Sequence, residues 1–240
     1  MRGNGILPNV RNCYHTNACI PLTLPDMELN TVIFDMDGLL IDSEPYWQQA
    51  GMETLKQFNI TLAPAQYHHT TGLRTPEWLD YWFGYYNIPK NNMQEAVDAL
   101  HTNVFEKIRE EAEPLPGIDY IFPYFKEKGF RIGLATSSPL SLVDIVVDKL
   151  KIGHYLDATA SAEHLPFGKP HPQVYMDCAA ALGVSPLQCL CFEDSFNGLI
   201  AAKAARMRCV VIPVADQYDL PKWGAADLKL HSLKEYKNPG

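Results

Sequence analysis

Six short runs of apolar and β-branched residues, at 31–34, 131–135, 158–162, 189–192, 209–212 and 227–230, recur along the chain with helical patterns between them. That alternation restricts the fold to a parallel sheet wrapped by helices, because successive parallel strands need crossovers and are covered on both faces. The fold class is therefore α/β, a Rossmann-like parallel sheet core. Between the first and second runs lie nearly a hundred residues, far more than one crossover helix requires. The excess reads as helical throughout. Met93, Val97, Leu100, Val104 and Ile108 form one stripe at helical spacing, and Pro45 and Pro76 each suit a first helical turn. The spacing predicts an inserted helical cap domain over 44–112, with 27–43 and 113–240 forming the core. Asp42-Ser43-Glu44-Pro45 reads as the outward linker and Glu113-Pro114-Leu115-Pro116-Gly117 as the return. Trp78, Tyr81, Trp82, Tyr85 and Tyr86 recur at helical spacing and read as interior of that insert.

Composition narrows the function classes. With 47% hydrophobic and 20% charged residues among 240, the chain can bury a substantial core. Its net charge of −8 gives no general attraction to nucleic acid or to an anionic membrane, so an anionic substrate needs a local positive site. No apolar run reaches the roughly 18 residues of a membrane span. The first 26 residues lack the continuous apolar stretch of a secretory signal, and a cytoplasmic address is expected. The six cysteines, Cys13, Cys19, Cys178, Cys189, Cys191 and Cys209, show no zinc-ligand spacing and suit reduced, buried thiols. Residues 1–26 carry no periodicity and read as a disordered extension or a start-site error, with Met27 as the functional start. No surface stripe marks a subunit interface, so a monomer is expected.

The chemistry gathers at the carboxyl ends of the apolar runs, the edge where parallel sheets bind ligands. The first ends in Phe34-Asp35-Met36-Asp37-Gly38, two carboxylates two residues apart before a glycine that permits a sharp turn. Taken alone, this is also an ordinary surface turn. The second closes with Ala135-Thr136-Ser137-Ser138, hydroxyls and N–H groups ahead of Pro139; it can seat a phosphate or merely cap a helix. After the third comes Gly168-Lys169-Pro170-His171-Pro172, a cation among turn residues. The fourth ends in Glu193-Asp194-Ser195, adjacent acids that repel unless a cation lies between them. Gly168-Lys169 lacks the flanking residues of a P-loop.

In this order on successive strands, Asp35-x-Asp37-Gly38, Thr136, Lys169 and Glu193-Asp194 resemble the haloacid dehalogenase superfamily of phosphotransferases. The insert between the first two motifs resembles that of the capped β-phosphoglucomutase-like subgroup, which includes sugar-phosphate phosphatases. The likeness extends through Asp42-Ser43-Glu44-Pro45, Thr71-Gly72-Leu73-Arg74 and Lys169-Pro170-His171-Pro172-Gln173-Val174-Tyr175.

The resemblance implies a covalent route, in which Asp35 attacks phosphorus and Asp37 serves as acid and then base. It implies magnesium held by Asp35, the carbonyl of Asp37, Asp194 and Glu193. Lys169 would neutralise charge, and Thr136, Ser137 and Ser138 would meet the phosphate oxygens. The implied substrate is a small phosphorylated sugar or polyol, with no nucleic acid or membrane partner. Asp37 speaks against carbon–halogen cleavage, and neither Lys56 nor Lys90 lies in a Schiff-base motif. Sugar-phosphate mutases of the subgroup carry a histidine twelve residues after the nucleophile, where this chain has Trp47. That Trp can stack on a sugar face or pack the first insert helix against the core. Arg74 would reach sugar hydroxyls or a second anion. A mutase and a non-catalytic sugar-phosphate sensor stand as the alternatives to a phosphatase.

Overall fold

The computed structural model describes residues 28–63, 66–67 and 69–237. The expectations for residues 1–26 and for Cys13 and Cys19 lie outside them. Strand β1 (Thr31–Phe34) is the centre of a six-stranded, all-parallel sheet, with β2 (Arg131–Thr136) and β3 (Ala158–Ser161) on one side. On its other side follow β4 (Cys189–Glu193), β5 (Arg208–Val211) and the two-residue β6 (Leu228–Lys229). The last run is thus shorter than its apolar stretch. The order β3-β2-β1-β4-β5-β6 reverses direction between β1 and β4, which opens a crevice at their carboxyl ends.

Alternation along each strand divides the core between the two faces of the sheet. Val32, Phe34, Leu134 and Phe192 pack with Phe122 and Phe125 of the helix Ile118–Glu127, whereas Ile33, Ala135, Cys191 and Cys209 face Val174, Cys178 and Leu199. Small side chains on this second face admit close helices. A Cβ at Gly133 would lie 2.6 Å from the Cys178 sulfur. The four described cysteines, Cys178, Cys189, Cys191 and Cys209, are free and buried.

Between β1 and the helix Ile118–Glu127, the described residues of the insert include the helices α1 (Glu44–Lys56), α2 (Thr75–Tyr85) and α3 (Met93–Glu111). Pro45 and Pro76 lie in first turns, where their missing N–H groups have no helical partner to lose. Val97, Leu100, Val104 and Ile108 of the α3 stripe are buried, Met93 less so. The described part of 57–74 is turns and irregular chain apart from a helical turn at 66–67, so the insert is not helical throughout. Glycine and the positive φ of Asn59 interrupt any periodicity there. Of the aromatic set, Trp78 and Trp82 are buried, while Tyr81 and Tyr85 are 49% and 61% exposed.

The chain leaves and re-enters the core side by side. Asp42 N–H donates to the Glu113 carbonyl at 2.9 Å, and Leu115 N–H donates to that of Leu40 at 3.0 Å. Among the described residues, no helix is long and apolar enough to cross a membrane.

Candidate active site

Asp35 continues β1 beyond its last full rung, its N–H bonded to the Phe192 carbonyl of β4 at 3.0 Å. Lys169 arrives from the loop after β3 and is 2% exposed. Its ammonium donates to Asp35 Oδ1 at 2.6 Å, Glu193 Oε1 at 2.7 Å and the Ala135 carbonyl at 3.1 Å, one acceptor for each of its protons. Burial pulls the lysine pKa down, but the two carboxylates more than offset this and hold it raised.

Glu193 is saturated. Besides Lys169, its oxygens accept from the Tyr175 hydroxyl and from both the N–H and the hydroxyl of Ser195, at 3.2 and 3.1 Å. The same Ser195 hydroxyl caps the helix Phe196–Ala204 by accepting from Gly198 N–H. Gly198 is required there, since a Cβ would fall 1.8 Å from Glu193 Oε1. This arrangement makes Glu193 an anchor for Lys169.

Asp194 contrasts with its neighbour: among the described residues, no hydrogen-bond donor reaches its carboxylate, although it is 7% exposed. Asp35, Glu193 and Asp194 offer oxygens within 4.8 Å of one another. Glu44 stands beside them, and Gly38, at φ +71°, lets the turn come so close that a Cβ would lie 2.3 Å from Asp194 Oδ2. Burial pushes Asp35 up to about 8 against the pull of Lys169, with Glu193 and Asp37 adding to the rise. Burial, then Asp37, Asp35 and Asp42, push Glu44 up to about 8, and burial, then Glu193, Asp35 and Glu44, hold Asp194 well above the usual carboxylate range. One buried ammonium does not balance these acids. An under-coordinated carboxylate pair in a surplus of negative charge is the donor set a hard divalent cation takes.

Asp37 is held by three donors. Oδ1 accepts from the Ser43 hydroxyl at 2.7 Å and from the Trp47 indole N–H at 2.9 Å, and Oδ2 accepts from the Ser138 hydroxyl at 2.7 Å. Thr136, buried at the end of β2, accepts from Ser138 N–H at 3.0 Å. All of Asp35, Asp37, Trp47, Arg74, Thr136, Ser137, Ser138, Lys169 and Asp194 border one cavity of about 70 Å³. A neighbouring cavity of about 600 Å³ shares its Glu44, Tyr67, Thr71, Asp194 and Ser195 walls.

The insert loop before α2 docks onto the same sheet edge. Asn197 donates to the Thr71 carbonyl at 2.9 Å and the Ser137 hydroxyl to that of Gly72 at 3.1 Å. Arg74 donates to the carbonyls of Ala162, Leu165 and Pro166 and to Glu77, which also accepts from Gly168 N–H at 2.9 Å. Its two terminal nitrogens are therefore spent on the loop after β3 and on Glu77 rather than left for a sugar or an anion. Ser138 is likewise engaged with Asp37. Sequence patterns singled out neither Ser43, Glu44 nor Tyr175 as site residues; their signal lay in stretches flanking the acids, without a chemistry attached.

The matching family model, haloacid dehalogenase-like hydrolase, covers residues 32–212, and the chain belongs to this family. It is 41% identical to Hexitol phosphatase B of Escherichia coli K12 over 209 residues, 87% of this chain and 94% of that one. Fructose-1-phosphate phosphatase YqaB of the same organism is 31% identical over 183 residues, 75% of this chain and 94% of that one. Among solved structures, a β-phosphoglucomutase from Clostridium difficile superposes with a TM-score of 0.78 at 23% identity, covering 88% of this chain and 94% of that one. The α/β fold expected from the strand pattern is thus shared with that enzyme.

Proposed function

We propose that the chain is a magnesium-dependent phosphatase of small phosphorylated sugars or sugar alcohols, working through an aspartyl-phosphate on Asp35. The observation that carries the reading is the pairing of two unlike carboxylates at one cavity. Asp35 is clamped through one oxygen by Lys169, while Asp37 is held by neutral donors alone. A nucleophile and an acid need such separate surroundings. Asp35 attacks phosphorus as the ester P–O bond breaks, and Asp37 passes a proton to the departing alkoxide, then takes one from the attacking water. Lys169 offsets the charge shared by nucleophile and phosphate, with Glu193 holding the ammonium in place. The Thr136 hydroxyl and the Ser137 N–H offer donors to the phosphate oxygens.

Asp35, Asp194 and the Asp37 carbonyl would hold magnesium, which supplies charge neutralisation at the phosphate. The helical insert acts as a cap that opens to admit substrate and closes to exclude water. The names of the two Escherichia coli relatives support a sugar or hexitol phosphate as substrate. Trp47, in place of the mutase histidine, favours hydrolysis over phosphoryl shuttling. The buried free thiols support a reducing, cytoplasmic setting.

The test is phosphate release from a panel of sugar and hexitol phosphates, each with magnesium and with EDTA. Magnesium-dependent release from a narrow set is expected, abolished in Asp35→Asn with the fold intact. Conversion of glucose 1-phosphate to its 6-isomer without release would make it a mutase, and binding without turnover a sensor.

A further inference from the structure

The cavity of about 600 Å³ beside the site runs from the surface to the acids. Asp42, Val214 and Leu220, all exposed, line its outer part; Asp194, 7% exposed and without a hydrogen-bond donor among the described residues, lies at its inner end. We infer that this cavity is the vestibule through which a hydrated divalent cation reaches Asp194, apart from the path of the ester; the inference rests on the reading of Asp35 and Asp194 as magnesium ligands.

The two cavities meet at Asp194 and Glu44. Asp37, Ser138 and Lys169 line the first and not the second, so an ester whose leaving oxygen must face Asp37 belongs in the first. At about 70 Å³ that cavity has room for a few waters, and a bound phosphate fills it. The insert also closes over it, through the Ser137 bond to Gly72 and the Arg74 bonds to the loop after β3. A cation entering there would compete with the ester for one passage. Magnesium gives up its waters reluctantly and travels hydrated, which demands width and polar walls. The second cavity supplies both.

Its lining carries three carboxyl groups, of Asp42, Glu44 and Asp194, against one ammonium, that of Lys222. Asp42 is exposed, Glu44 half-buried and Asp194 buried, so the acids lead inward from the surface. A passage of this sign draws in a cation and repels an anionic ester. Lys222 is held to the wall by neutral groups: its ammonium donates to Gln217 Oε1 at 2.6 Å and lies 4.6 Å from the centre of the Trp223 ring. It opposes the acids from a fixed place on the route, and removing it tests the route from the opposite direction. Cation and ester then reach Asp194 from different sides, and neither has to leave before the other enters.

The test reads metal binding, not turnover, with Mn²⁺ as the probe. Kd comes from the spin-resonance signal of free Mn²⁺, koff from stopped-flow release into excess fluorescent chelator, and kon is koff divided by Kd. A residue on the route alone alters both rates by one factor and leaves Kd, because the end states are unchanged. Val214→Trp and Leu220→Trp, at exposed positions of the mouth, are expected to lower kon and koff together on the order of 10-fold, with Kd held within about threefold. Asp42→Asn should lower kon about two- to fivefold at low salt and Lys222→Gln raise it as much, both effects fading at about 1 M salt. Unchanged rates in both tryptophan variants overturn the route, as do charge variants whose effects are absent, of one sign or indifferent to salt. Asp194→Asn, run beside them, must lose Mn²⁺ binding; if it keeps the wild-type Kd, the metal assignment itself fails, whatever the rates show.

Discussion

Lys169 concentrates the electrostatics of the site in one side chain. Its three protons meet three acceptors, two of them buried carboxylates, so truncating it leaves Asp35 and Glu193 charged and unpaired. Lys169→Met is expected to abolish phosphate release and to cost about 3–5 kcal/mol of stability, read by denaturant titration. Glu193→Gln, which keeps one of the two acceptor oxygens and leaves no buried carboxylate there, should cost less in both. The acids were legible as residues because they follow directly on apolar runs, where a charge has no reason to lie unless it is used; Lys169 was legible only as a cation among turn residues. Their division of labour was not. That Glu193 anchors while Asp194 stays open depends on Ser195 turning both its N–H and its hydroxyl back onto Glu193, a geometry no spacing encodes. The partner of Trp47 was hidden for a similar reason: a helical position fixes a face, but the rotation of α1 about its axis decides whether that face meets a sugar or Asp37.

At the scale of elements, the contact between the insert and the sheet edge rests on main-chain acceptors. Arg74 crosses from the start of α2 to three carbonyls in the loop that leads to Lys169, and Glu77 receives an N–H from that loop. Burial alone would raise the Glu77 pKa; the Arg74 guanidinium and the Gly168 N–H outweigh it and keep the carboxyl below its usual range. Arg74→Ala should free the loop at both ends, with faster hydrogen exchange over 71–77 and 162–168 and a loss in kcat/KM of about tenfold, the worth of one charge-assisted contact. Lys149 or Arg109, which lie away from the cavity, serve as controls. The strands were readable because burial on both faces makes a parallel strand a continuous apolar run. The docking of 71–74 was not, since carbonyls some ninety residues away carry no side-chain signature. The irregular course of 57–74 escaped for the opposite reason, its apolar residues being packed without a period.

For the molecule as a whole, the surplus of buried negative charge makes stability depend on pH and on cation. Asp35 has its pKa raised to about 8 by burial, with Glu193 and Asp37 adding to the rise against Lys169. The folded state then holds protons that the unfolded chain releases, so without a divalent cation stability falls as pH rises from about 4 toward 8. Magnesium competes with those protons, and the rise in Tm on replacing EDTA with magnesium should be larger at pH 8 than at pH 6, measured by calorimetry. A magnesium effect independent of pH would contradict the carboxylate assignment. The two crossing segments at 40–42 and 113–115, hydrogen-bonded to each other, bear on how such a molecule changes over evolutionary time. Because the insert begins and ends at one point on the core, its length and content place no demand on the sheet. Selection can remodel or exchange the helices above, and with them the range of esters accepted, while the acids and the lysine below are inherited intact.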